Sequence, residues 1–251
     1  LQVGSRLSDT APESSGAARR PGRFRVLGLL LIGIVVLGIA IVGMSTREAS
    51  NEFRVIEGSD DAQRIFGGEF QLGDRLGQGN APVQVQVFTD VQAAGFTDWF
   101  LDVIPALTDG PVRDGDVQLL LRNRSLTRNP TEISFFGIEA AGEQDYAWNY
   151  AYLVVRNLEL AREAGTLDQE FLEDIAGAIQ GVDLAIWRSD YERSLEDGSD
   201  VIMRLEEQDK LAIDLGLRAA PAVVVSGPGG SEVLQDAPEL DQIRAAIEEV
   251  R

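Results

Sequence analysis

Histidine and cysteine are both absent from the 251 residues. Their absence excludes a Ser-His-Asp triad, a cysteine nucleophile, a disulfide, a dithiol redox centre and any zinc site built on imidazole or thiolate. Lysine is nearly missing too, since Lys210 stands alone among the 22 cations. Positive charge is scarce overall: 41 carboxylates outnumber those cations and leave a formal net charge of −19. The imbalance is uneven. Residues 1–44 hold Arg6, Arg19, Arg20, Arg23 and Arg25 against Asp9 and Glu13, a net +3, so the remainder carries −22. A body this acidic repels phosphate backbones and anionic head groups, which argues against a nucleic-acid partner.

Apolar residues make up 44% of the chain, enough to build one globular domain of ordinary size. One stretch concentrates them differently. Residues 26–44, VLGLLLIGIVVLGIAIVGM, contain no charge and as a helix would run roughly 28 Å, about the thickness of a bilayer core. Arg19, Arg20, Arg23 and Arg25 precede it immediately, and the positive-inside rule then places the N-terminus in the cytoplasm and everything after residue 45 outside. A cleaved signal peptide is the rival reading, but its apolar core is shorter and ends in a small-x-small site, whereas STREASNEF follows here. The glycines at 28, 33, 38 and 43 recur every five residues and so wander around the helix without making a dimer face. The organisation expected is a disordered cytoplasmic tail (1–25), a single transmembrane helix (26–44), a linker or edge element (45–81) and a folded extracytoplasmic domain (82–251).

Within that domain, VQVQVF at 83–88 alternates with period two and reads as a strand, and VQLLLR at 117–122 reads as a second. Between them Phe96, Trp99, Phe100, Val103, Ile104 and Leu107 fall on one helical face. Residues 131–195 hold three helical segments broken by glycine or polar turns, and 200–215 make another helix. AVVVSGPGGSEVL at 222–234 is a hairpin, and PELDQIRAAIEEV closes the chain with a helix. This order of elements is an α/β pattern interrupted by a helical insert at about 131–195.

Chemistry is hard to find. The turn between the first strand and its helix, TDVQAAGFTDWF, offers two alanines, a glycine and a phenylalanine where many folds keep a catalytic group. Asp90 and Asp98 flank it, with solvated cap or turn roles expected on local hydrogen-bonding grounds. Trp99, Trp148, Tyr146, Tyr150 and Tyr152 sit at core spacing rather than in a groove. The acidic clusters SDD and LEEQD lack the spaced oxygen ligands of a calcium loop. Asn123-Arg124-Ser125 matches a glycosylation sequon of a kind that recurs by chance. No cofactor, metal or small-molecule substrate is indicated.

The segment NAPVQVQVFTDVQ at 80–92 resembles the opening of DsbA-family thiol oxidoreductase domains, in which such a phrase precedes Cys-Pro-x-Cys. The resemblance continues through LTRNP, AAGEQDYAWNYAYLV, FLEDIAGAIQGVDLAIW and LGLRAAPAVVV, in family order over about residues 80–250. It implies a thioredoxin-like fold with an inserted helical subdomain. It also implies that the two redox cysteines correspond to Ala93 and Phe96, and that Pro221, preceded by Ala220, corresponds to the family's cis proline at the peptide-binding loop. In an active member the helix N-terminus lowers the pKa of the first thiol. Here no sulfur is present to benefit. The expectation is a degenerate, non-enzymatic, membrane-anchored module that binds protein, with a substrate-holding partner of a thiol–disulfide pathway as the alternative.

Overall fold

The computed structural model describes residues 55–91, 93–123, 133–165 and 168–251. The apolar run 26–44, its arginine flank, the N-terminal tail, LTRNP and most of the sequon lie outside the described residues. Among the described residues, no helix is long and apolar enough to cross a membrane.

Among the described residues, a six-stranded mixed sheet organises the domain. Its strands are β1 (Gln71–Leu72), β2 (Arg75–Leu76), β3 (Val83–Thr89), β4 (Val117–Asn123), β5 (Ala222–Gly227) and β6 (Gly230–Leu234), in the spatial order β1-β2-β4-β3-β5-β6. β3 and β4 run parallel, with Val83 opposite Val117 and Val87 opposite Leu121, because helix α2 (Phe96–Leu107) carries the chain back between them. The helical periodicity read in the sequence is the packing observed: Phe96, Trp99, Phe100, Val103, Ile104 and Leu107 are the buried residues of α2. β5 and β6 form an antiparallel hairpin closed at Gly227 and Gly230, and β5 lies antiparallel to β3.

The alternation of β3 sorts the core into two layers. Val83, Val85 and Val87 join Leu119, Leu121, Val223 and Val225 in the main core. That core is covered by α2, by α4 (Ala147–Ala164) and by the closing helix α8 (Leu240–Val250), whose Ile243, Ala246, Ile247 and Val250 are buried. On the opposite face Phe88, Ala222 and Val224 meet Ala212 and Leu217 in a much smaller cluster. Helix α7 (Asp200–Asp214) supplies its cover.

Of the 45–81 stretch, expected to be a linker or an edge element, residues 55–81 are described and hold a helix and an edge hairpin. Helix α1 (Ser59–Phe66) buries Ala62, Ile65 and Phe66, and the β1–β2 hairpin pairs Leu76 with Leu119 on the edge of β4. The insert also differs from expectation in count. α3 (Ile133–Gly142), α4 and α5 (Gln169–Gly177) match the three expected segments, and a fourth helix, α6 (Leu184–Ser194), follows. Its apolar positions are too sparse for periodicity to reveal. Its start is marked instead by Asp183, whose carboxylate accepts from the amides of Ala185 and Ile186 at 2.9 and 3.1 Å.

Candidate functional site

Sheet register assembles the candidate site. Phe88 lies opposite Ala222, so the turn leaving β3 and the Ala220–Pro221 loop entering β5 meet at one end of the sheet. The turn is stitched by its own backbone: Ala93 N–H donates to the Asp90 carbonyl at 3.0 Å, and Phe96 N–H donates to the Ala93 carbonyl at 3.1 Å. Gly95 caps α2 with φ +74°, a left-handed conformation that explains a glycine at this position. Arg162 of α4 donates to the carbonyl of Val91 at 2.7 Å and ties the turn to the helical insert.

Where a DsbA-type resemblance places a pair of thiols, Ala93 is half-buried against the main core and Phe96 is 1% exposed. The Phe96 ring lies 5.4 Å from that of Phe100 at a tilt of 51°, an aromatic packing contact. The Ala220–Pro221 peptide is cis, and both residues are buried. The Pro221 carbonyl accepts the N–H of Ala237 at 3.0 Å. Asp236 and Ala237 both hold positive φ, 60° and 54°, in a segment whose next residue, Pro238, accepts the indole N–H of Trp99. The 220–221 loop is thus tied to 236–238 by a main-chain bond, and the Trp99 indole ties α2 to the same segment.

Two expectations about the turn part company here. Asp98 is exposed in the first turn of α2, where a carboxylate complements the helix dipole. Asp90, expected to be solvated, is only 3% exposed. The correction follows from its position at the end of a central strand, beneath the turn that folds over it. The aromatic residues are core: Trp99, Trp148, Tyr150 and Tyr152 are buried and Tyr146 half-buried. Burial drives the Tyr150 pKa well above the usual phenol value, and its hydroxyl donates to the Leu172 carbonyl at 2.9 Å. SDD falls in the first turn of α1 and LEEQD on α7. No group of acidic residues that could hold a metal ion occurs among the described residues.

A second concavity lies away from the turn. An open groove of about 570 Å³ separates the β1–β2 hairpin from α3 and α7, with Asp74, Glu139, Glu143, Asp145 and Arg204 among its charged lining. Arg204 donates to Glu139 Oε2 at 2.9 Å, although Glu139 is a carboxylate set in the apolar run ISFFGIEAAG. That lone charge inside an apolar helix was the available signal.

No protein-family model and no curated protein matches the chain. Solved structures do. Oxidised BdbD from Bacillus subtilis superposes with a TM-score of 0.56 at 17% identity, covering 72% of this chain and 96% of that one. DsbA from Chlamydia trachomatis gives 0.57 at 16% identity, with 71% and 91% covered. A thioredoxin-like oxidoreductase from Silicibacter pomeroyi DSS-3 gives 0.53 at 18% identity, with 74% and 95% covered. The fold is thioredoxin-like, of the DsbA kind. At such identities the likeness establishes architecture alone. The chemistry is decided by the residues, and a chain without cysteine cannot carry out dithiol–disulfide exchange through its own side chains.

Proposed function

We propose that this chain is a redox-inactive protein-binding module, a chaperone-like factor or accessory subunit of a membrane complex, held at the outer side of the cytoplasmic membrane by residues 26–44. One observation carries the reading: Phe96, which the resemblance sets where a redox sulfur would stand, is buried as part of the apolar face of α2. The site has become packing. A surface freed from catalysis keeps its use as a contact surface, and Ala94, Gly95, Asp236 and Ala237 present an exposed rim at that end of the sheet. The partner is a protein, and no nucleic acid, metal, cofactor or small-molecule substrate enters the reading.

A thiol-oxidation assay on the full chain tests the non-enzymatic part, with a reduced dithiol peptide as substrate. No turnover is expected, and measurable turnover would overturn the reading. Protease added to intact spheroplasts tests the placement: the domain should be digested, and full protection would reverse the orientation. A second reading keeps the module within thiol–disulfide chemistry, holding substrates for a separate oxidase. It is favoured by the Ala220–Pro221 loop lying directly beside the turn. Acceleration of a thiol oxidase by this chain on unfolded reduced substrates would select it.

A further inference from the structure

Helix α7 is 15 residues long yet buries only Gln208 and Ala212. By contrast, α4 buries Trp148, Tyr150, Leu153, Val154 and Leu158 completely. A helix held by so little apolar surface opens at low cost compared with its neighbours. Its two halves are held differently. The second half packs Leu211, Ala212 and the following Leu215 and Leu217 onto Phe88, Ala222 and Val224. The first half instead stands along the groove, to which it contributes Arg204 and Gln208. Met203 is 48% exposed and Leu205 is half-buried.

Arg204 links the first half to α3 through ion pairs, while Leu205 packs against the main core. Arg204 reaches Glu139 Oε2 with Nη2 at 2.9 Å and Nε at 3.3 Å, and Glu143 at 3.6 Å. The Glu139 side chain is only 12% exposed. Around it stand Glu143 on its own helix, Asp74 and Arg75 on the hairpin, Asp145 before α4 and Arg204 on α7, with Asp200 acting on Arg204 and Arg122 of β4 bound to Asp74. Burial is the largest influence on Glu139 and raises its pKa above the usual carboxylate range. Arg204 opposes that effect, and Asp74 and Glu143 add to it. For Arg204, burial pulls the pKa down but Glu139, Glu143 and Asp200 raise it overall, so its charge is secure. The penalty of the pair therefore falls on the carboxyl group.

We propose that residues 200–208 form a hinged cover that lifts from α3 about the packed second half of α7, with the Glu139–Arg204 contact setting how firmly it closes. Lifting the cover exposes Glu139 to water and returns its affinity for a proton towards the ordinary value. The closed state thus binds the proton more tightly than the open one. Linkage then gives the sign: closure is firmer in acid and loosens as the pH rises through the titration of the closed form.

Hydrogen exchange of the full chain, read by mass spectrometry and corrected for intrinsic exchange, tests the proposal at pH 5.5 and 7.5. Opening of 200–208 should shift upward at pH 7.5, while α4 stays protected at both values. Glu139→Gln should abolish the pH difference and keep 200–208 closed throughout. Arg204→Met should open the segment further at pH 7.5, with recovery in acid. Protection of 200–208 equal to that of α4 at both values would overturn the cover, and a pH difference surviving in Glu139→Gln would overturn its control. Should Glu139→Gln fail to fold, exchange unchanged by Arg204→Met would overturn the proposal in its place.

Discussion

Trp99 donates its indole N–H to the carbonyl oxygen of Pro238 at 2.7 Å, joining residues 139 apart in sequence. The bond is buried and links the helix that opens at the empty turn to the loop whose Ala237 amide holds Pro221. Trp99→Phe keeps a ring in the core but leaves the Pro238 carbonyl unsatisfied. Urea denaturation should show a loss of about 1–3 kcal/mol, the range for a buried acceptor deprived of its donor. An unchanged midpoint would mean that the loop cluster is not mechanically coupled to α2.

The end of α8 depends on a close approach that only glycine allows. A Cβ added to Gly227 would lie 2.4 Å from the Val250 carbonyl oxygen, which already accepts the Gly229 amide at 2.7 Å. Backbone cannot yield there as a side-chain tip would. Gly227→Ala should therefore cost about 1–3 kcal/mol, whereas Gly79→Ala, where the nearest atom is the end of the Gln118 side chain at 4.0 Å, should stay within about 0.5 kcal/mol. Equal effects of the two substitutions would refute the argument.

The domain boundary gives a third test. Residues 83–250 contain the strong periodic signals, but α1 and the β1–β2 hairpin complete the core through Ala62, Ile65, Phe66 and Leu76, each no more than 2% exposed. A piece comprising 54–251 should unfold cooperatively, while one comprising 83–251 should be weaker by more than about 3 kcal/mol, given the apolar area removed. Matching denaturation curves would restore the linker reading of this stretch.

These elements show how far local pattern carries. β3, α2 and α8 were legible because each displays its period, and β4 and β5 because a short apolar run buried on both faces is bounded by turn signals. α1 has only eight residues and the hairpin strands have two each, too few to display one. The turn's lack of a nucleophile was legible too, since Ala93 and Phe96 are read directly from the chain. The groove was not. It gathers residues 72–75, Leu121, 138–147 and 204–208 from four separate stretches, and no single window contains its geometry.

The pH dependence of stability carries the signature of Glu139. Burial raises its pKa above the ordinary 4.5, so the folded state holds this proton more tightly than the unfolded chain does. Stability from this group is therefore present in acid and is lost as the pH rises from the ordinary value through the raised one. Compared with wild type, Glu139→Gln should gain stability progressively across that window and hold the gain at neutral pH. Urea midpoints of the two proteins measured from pH 4 to 8 would show it. A stability difference that shrank with rising pH would mean that Arg204 outweighs burial.

Restoring the two thiols tests what the turn has become. Phe96 is 1% exposed and its ring packs on Phe100, so replacing it with cysteine should cost about 2–4 kcal/mol before any chemistry is attempted. A thiol at position 93 would then face a half-buried site with Asp90 three residues before it in the same turn, and a carboxylate close to a thiol raises rather than lowers its pKa. Little thiolate would form near neutral pH, and the helix N-terminus alone would have to offset that. The Ala93→Cys, Phe96→Cys double variant should denature at lower urea than wild type and oxidise a reduced peptide slowly at pH 7. Wild-type stability combined with rapid oxidation would show that Phe96 does no packing work. The turn would then be a dormant catalytic site, and the binding-module reading would lose the observation on which it stands.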